Sequence, residues 1–89
     1  MEQSQQNLIG PTVRRLRLDA GLSQDKLAAK LQVAGWDLSR AGVSKIEARL
    51  RRVNDAELVL LARVLSCELA ELFPKRLKDA AKIIRQGRG

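Results

Sequence analysis

The groups best able to do chemistry in this 89-residue chain are cations. Arg40, Lys45, Arg49, Arg51 and Arg52 crowd into residues 40–52 with Glu47 as the one carboxylate among them, a local charge of +4. A second run, residues 74–89, carries Lys75, Arg76, Lys78, Lys82, Arg85 and Arg88 against Asp79, a local charge of +5. The whole chain is only +7, so the residues outside these two runs are slightly acidic. Cations localised in this way suit a polyanionic partner, DNA, RNA or anionic lipid, and charge alone does not choose among them. Catalytic chemistry is poorly supplied. With no His and the single Cys67, a zinc site or a Cys–His nucleophile is excluded. No acid–base cluster or phosphate-binding glycine loop is present either, so no enzyme activity, catalytic residue, cofactor, metal or small-molecule substrate is expected. Cys67 lies beside an apolar run, which predicts a buried thiol in a fold that does not depend on oxidation.

Helices must position these cations. Apolar residues make up 45% of the chain, mostly Leu, Ala and Val, while Trp36 and Phe73 are the only aromatics, a balance that favours an all-α class over a sheet. Ile9, Val13, Leu16 and Ala20 recur at helical spacing, with Pro11 in the first turn and Gly21 as the stop. Ser23 caps a second helix whose buried stripe is Leu27, Ala28 and Leu31. Val33 to Leu38 breaks the pattern. Ser39 then caps a third helix over residues 40–48, with Val43, Ile46 and Leu50 inward. Asn54 caps a fourth, with Glu57 at capping-box spacing and Leu58, Leu61, Ala62 and Leu65 as core. A short fifth helix spans 68–73 and ends at Pro74.

Residues 1–7 read as a disordered, Gln-rich leader, 8–73 as the folded domain, and 74–89 as a basic tail with Leu77, Ala81 and Ile84 at helical spacing. The tail admits three readings: a membrane-surface helix, a nonspecific DNA arm, or a face for a second copy. The apolar stripe is narrow for a membrane, which favours the last two. No apolar run approaches a membrane span and the first residues lack a signal-peptide core, so a cytoplasmic, nucleoid-associated protein with no membrane contact is expected.

Arg14-Arg15-Leu16-Arg17, Gly21-Leu22-Ser23-Gln24, Leu27-Ala28 and Ser44-Lys45-Ile46-Glu47, followed by Glu57-Leu58, Leu61-Ala62, Leu65 and Glu71-Leu72, form an ordered set. Over roughly residues 9–73 it resembles the Cro/C1-type helix-turn-helix family, also called the XRE family. The resemblance implies a five-helix, lambda-repressor-like DNA-binding domain and a bacterial or phage transcriptional regulator that binds double-stranded DNA, usually as a homodimer. It departs from the phage repressors in two places. The turn holding Val33-Ala34-Gly35-Trp36-Asp37-Leu38 is longer, with Trp36 expected to anchor it. The usual glycine after the third helix is missing, so Glu47-Ala48-Arg49-Leu50 either extends the helix or puts an ordinary residue into a glycine-type turn.

In that architecture the third helix offers its N-terminal turns to base edges. With Val43 and Ile46 inward, Arg40, Ala41 and Lys45 share an outward sector, so these three are the expected base contacts. Ser39, Ser44, Arg49, Arg51 and Arg52 are the expected phosphate contacts. The resemblance gives Gln24 a phosphate or buttressing role, and pairs Arg17 with Glu47 as a structural ion pair. The plainer alternatives are that Arg40 and Lys45 are solvated charges and Gln24 merely opens its helix. At the level of function, the alternative is an antitoxin or adaptor-type protein-interaction module on the same fold. RNA binding is disfavoured by the lack of aromatics for stacking.

Overall fold

The computed structural model describes residues 5–87. Their order is α1 (Gly10–Asp19), α2 (Gln24–Val33), α3 (Arg40–Glu47), α4 (Asp55–Val64), a 3-10 turn (Leu69–Leu72) and α5 (Ala80–Gly87), with no strand among the described residues. The class is all-α.

The helices start where side chains can take up orphan amides. Ser23 Oγ accepts from the Lys26 amide and Ser39 Oγ from the Gly42 amide, both at 3.1 Å. At α4 the capping box is complete: Asn54 Oδ1 accepts from the Glu57 amide at 2.8 Å, and Glu57 Oε1 accepts from the Asn54 amide at 3.0 Å. Gly21 ends α1 at φ +73°, in the left-handed region.

One aliphatic core joins α1 to α4 and the 3-10 turn. Ile9, Val13, Leu27, Leu31, Val43, Ile46, Leu61 and Leu72 are fully buried within it. The N-terminus of α1 abuts the C-terminus of α3 so closely that a Cβ on Gly10 would collide with the carbonyls of Ile46 and Glu47. The long turn between α2 and α3 is tied down by the Trp36 amide donating to the Leu31 carbonyl at 2.9 Å and by Gln32 Nε2 donating to the Leu38 carbonyl at 3.0 Å. Leu38 is buried and Trp36 half-buried.

Of the two courses open after α3, the chain takes the glycine-type turn with an ordinary residue: Arg49 itself takes φ +64°. Three expectations are corrected. The reversal at Arg49 swings Leu50 outward, so Leu50 is 47% exposed and not a core residue. The proposed leader is ordered where it is described. Asn7 is buried and bonded to the domain, while residues 1–4 lie outside the described residues. In the tail, Ile83 is the residue that packs inward, whereas Leu77 precedes the helix and Ile84 faces solvent.

Candidate nucleic-acid interface

Helix α3 is held on one side and bare on the other. Val43, Ile46 and Glu47 are buried, while Arg40, Ala41, Ser44 and Lys45 are exposed. Gln24, from the first turn of α2, joins Arg40, Ala41 and Ser44 around a shallow depression. Of the three sequence-predicted base contacts, Arg40 and Ala41 line this depression, beside the two helix starts capped by Ser23 and Ser39, while Lys45 is exposed on α3 outside it. Ser39 is itself exposed, but its hydroxyl already serves as the α3 cap.

The fixed side of α3 is organised around Glu47. Arg17 of α1 meets it as a fork: Nε donates to Oε2 at 2.6 Å and Nη2 to Oε1 at 3.0 Å. The third guanidinium nitrogen, Nη1, donates to the Leu22 carbonyl at 2.8 Å, in the turn between α1 and α2. Gln24 Nε2 completes the cluster, donating to Glu47 Oε1 at 3.0 Å. Arg17 is 6% and Glu47 7% exposed. The hydrogen bonds to Glu47, and then its negative charge, raise the Arg17 pKa above its ordinary value despite the opposing cost of burial. Three elements, α1, α2 and α3, are locked by this one carboxylate, which fixes the angle at which α3 leaves the body.

The arginines after α3 divide into separate roles. Arg51 faces Glu57 as a fork, both hydrogen bonds at 3.1 Å, and its guanidinium lies 5.4 Å from the centre of the Trp36 ring. Burial alone would push Glu57 up, but the Arg51 hydrogen bonds, the Asn54 amide and the Arg51 charge outweigh it and leave the carboxyl below its ordinary value. Arg49 donates from Nε to the Asn7 carbonyl at 2.8 Å and pairs with Asp79 at 3.5 Å. Arg52 is exposed. The expected row of three phosphate-facing arginines therefore contains two, Arg49 and Arg51, whose guanidinium groups are engaged within the chain.

Asn7 is a positioning residue that the sequence did not disclose. Its Nδ2 donates to the Ile46 carbonyl at 3.1 Å and the Arg51 carbonyl at 2.8 Å, and its Oδ1 accepts from the Gly10 amide at 2.9 Å. It satisfies the open end of α3, the loop after it and the start of α1 together. The only hint in the sequence is an Asn just before a Pro-led helix; two of its partners, Ile46 and Arg51, are remote in the chain.

The helix-turn-helix family profile matches residues 13–72, from α1 through the 3-10 turn. The chain belongs to the helix-turn-helix family. Two solved structures are similar to it. One is the restriction-modification controller protein C.AhdI from Aeromonas hydrophila, at 35% identity, covering 73% of this chain and 87% of that one with a TM-score of 0.64. The other is the DNA-binding domain of BldD, at 27% identity, covering 83% of this chain and all of that one with a TM-score of 0.66. No curated protein matches the sequence. The family places this chain among DNA-binding transcriptional regulators of the Cro/C1 type. No helix among the described residues is long and apolar enough to cross a membrane.

Proposed function

We propose that this helix-turn-helix regulator reads an operator half-site through the first turns of α3, with Arg40, Ala41 and Lys45 at base edges in the major groove. Arg40 can bind guanine with two donors, and Ala41 is small enough to meet a thymine methyl. Ser44, Ser39 and Arg52 face the flanking phosphates. Gln24, Arg49 and Arg51 hold the frame, and their remaining N–H groups stay available to the backbone.

The observation that carries this reading is the division of α3 into a sector locked through Val43, Ile46 and Glu47 and a bare sector bearing Arg40, Ala41, Ser44 and Lys45. A recognition element needs both a rigid mount and free polar side chains. A single module reads a single half-site, so the protein acts on DNA in the cytoplasm as a homodimer on a two-fold operator. Exposed Val33, Val59 and Leu69 supply apolar surface for pairing.

Selection from a random duplex pool tests the reading. A half-site motif should enrich at moderate salt, and its absence refutes the assignment. Arg40→Ala should relax preference at one base position, whereas Arg52→Ala should weaken all duplexes similarly. Sedimentation equilibrium of the free protein reports the dimer.

A further inference from the structure

The second cationic run begins just after the 3-10 turn. Its one carboxylate, Asp79, pairs with Arg49 at the end of α3. Ile83 is 8% exposed and faces a cleft shared with Asn7, Arg52, Val53, Leu58 and Phe73. Gln86 Oε1 accepts from the Gln5 amide at 2.7 Å. The described part of the run, to residue 87, is therefore not a loose arm. It is docked beside the loop that carries Arg52, at the C-terminal end of the reading helix.

Docking sorts its side chains. With Asp79 drawn onto Arg49 and Ile83 onto the body, Lys75, Arg76, Lys78 and Arg85 are left on the exposed surface. Such a surface opposes a second copy of itself, because like charges would face one another. The exposed Leu77 and Ile84 sit among these cations and do not extend into a wide apolar face. A polyanion held next to Arg52 fits the arrangement.

We propose that α5 and the segment leading into it, through Lys75, Arg76, Lys78 and Arg85, form a second DNA-contacting surface that grips the sugar-phosphate backbone flanking the bases read by α3. The proposal rests on the α3 reading, since the site is defined by its place beside that helix. Its ligand is the phosphodiester backbone, without sequence preference. Each phosphate neutralised releases condensed counterions and steepens the salt dependence of binding.

The test uses the full chain, a selected operator duplex with long flanks, and the same duplex trimmed to the bases that α3 reads. The variant is Lys75→Gln/Arg76→Gln/Lys78→Gln/Arg85→Gln. On the flanked duplex its plot of log affinity against log salt should be shallower than the parent's by about 2 to 4, close to 0.9 for each phosphate that is no longer neutralised. On the trimmed duplex the two proteins should bind alike, which separates a placed surface from a general loss of charge. A charge-keeping variant, Arg76→Lys/Arg85→Lys, should retain the parental slope, and circular dichroism checks that all forms stay helical. Equal slopes on the flanked duplex, equal weakening on both duplexes, or a fall in dimer mass in place of the slope change would each overturn the proposal. If the parent protein enriches no motif, the α3 reading falls and this one with it; if the parent binds its motif and the variant matches it, only this one falls.

Discussion

Replacing Arg17 with Met, similar in length but uncharged, isolates the lock on α3. The substitution removes all three guanidinium hydrogen bonds and leaves Glu47, 7% exposed in the parent, with Gln24 as its one remaining side-chain partner among those described. Breaking a buried pair from one side costs about 3–5 kcal/mol, because the surviving charge is stranded. A chain of this length is stabilised by roughly 4–13 kcal/mol, so the loss is a large share of the total. At about 4–8 °C per kcal/mol the melting temperature should fall by ~12 °C or more. Urea unfolding of Arg17→Met, Glu47→Met and the double variant forms a cycle. The double variant should recover most of the stability, since two well-packed apolar side chains strand no charge. Arg15→Met provides the control: Arg15 reaches Asp19 at 3.4 Å with both side chains mostly exposed, and its removal should barely move the midpoint. If Arg17→Met costs no more than Arg15→Met, or the double variant is worse than either single, the account of Glu47 as the lock is wrong.

Three further outcomes follow from neighbouring groups. Asn7→Ala should destabilise by about 2–4 kcal/mol in urea titration, because the Ile46 and Arg51 carbonyls lose their donor together; a change under about 0.5 kcal/mol would mean that water replaces it freely. Gly10→Ala forces a Cβ against two backbone carbonyls and should cost about 1–3 kcal/mol in the same titration, against the usual gain of replacing a helical glycine. Glu57 is held below its ordinary value by Arg51 and Asn54, so its contribution is complete above the ordinary carboxylate value near 4.5 and disappears as pH falls through the lower, folded value. Unfolding free energy measured from about pH 6 to 3 should therefore drop in acid, and Glu57→Gln should flatten that limb.

The legible parts of the fold were those set by local chemistry. Ser23, Ser39 and Asn54 announce helix starts because a cap acts within three residues, and Val13, Leu27, Leu31, Val43, Ile46 and Leu61 announce the core through helical spacing. What the sequence concealed was long-range or turned on one backbone angle. Spacing put Leu50 inward by continuing α3, but the left-handed Arg49 redirects the chain just before it. Charge made Arg49, Arg51 and Arg52 look equivalent; only the positions of Asn7, Asp79 and Glu57 distinguish them. Composition made residues 5–7 look like solvent-borne chain, because polar residues that bond a distant helix end look the same in sequence as polar residues that bond water. The outward sector of α3 was readable because a helix with two buried apolar positions has only one remaining side.

The hydrogen bond between Gln5 and Gln86 joins residues 81 positions apart, so the stretch between them closes back on itself. A covalent link between the Gln5 and Gln86 positions would turn that stretch into a ring. Its unfolded form would lose freedom that its folded form never used, so the linked protein should resist heat without any change to the exposed residues of α3.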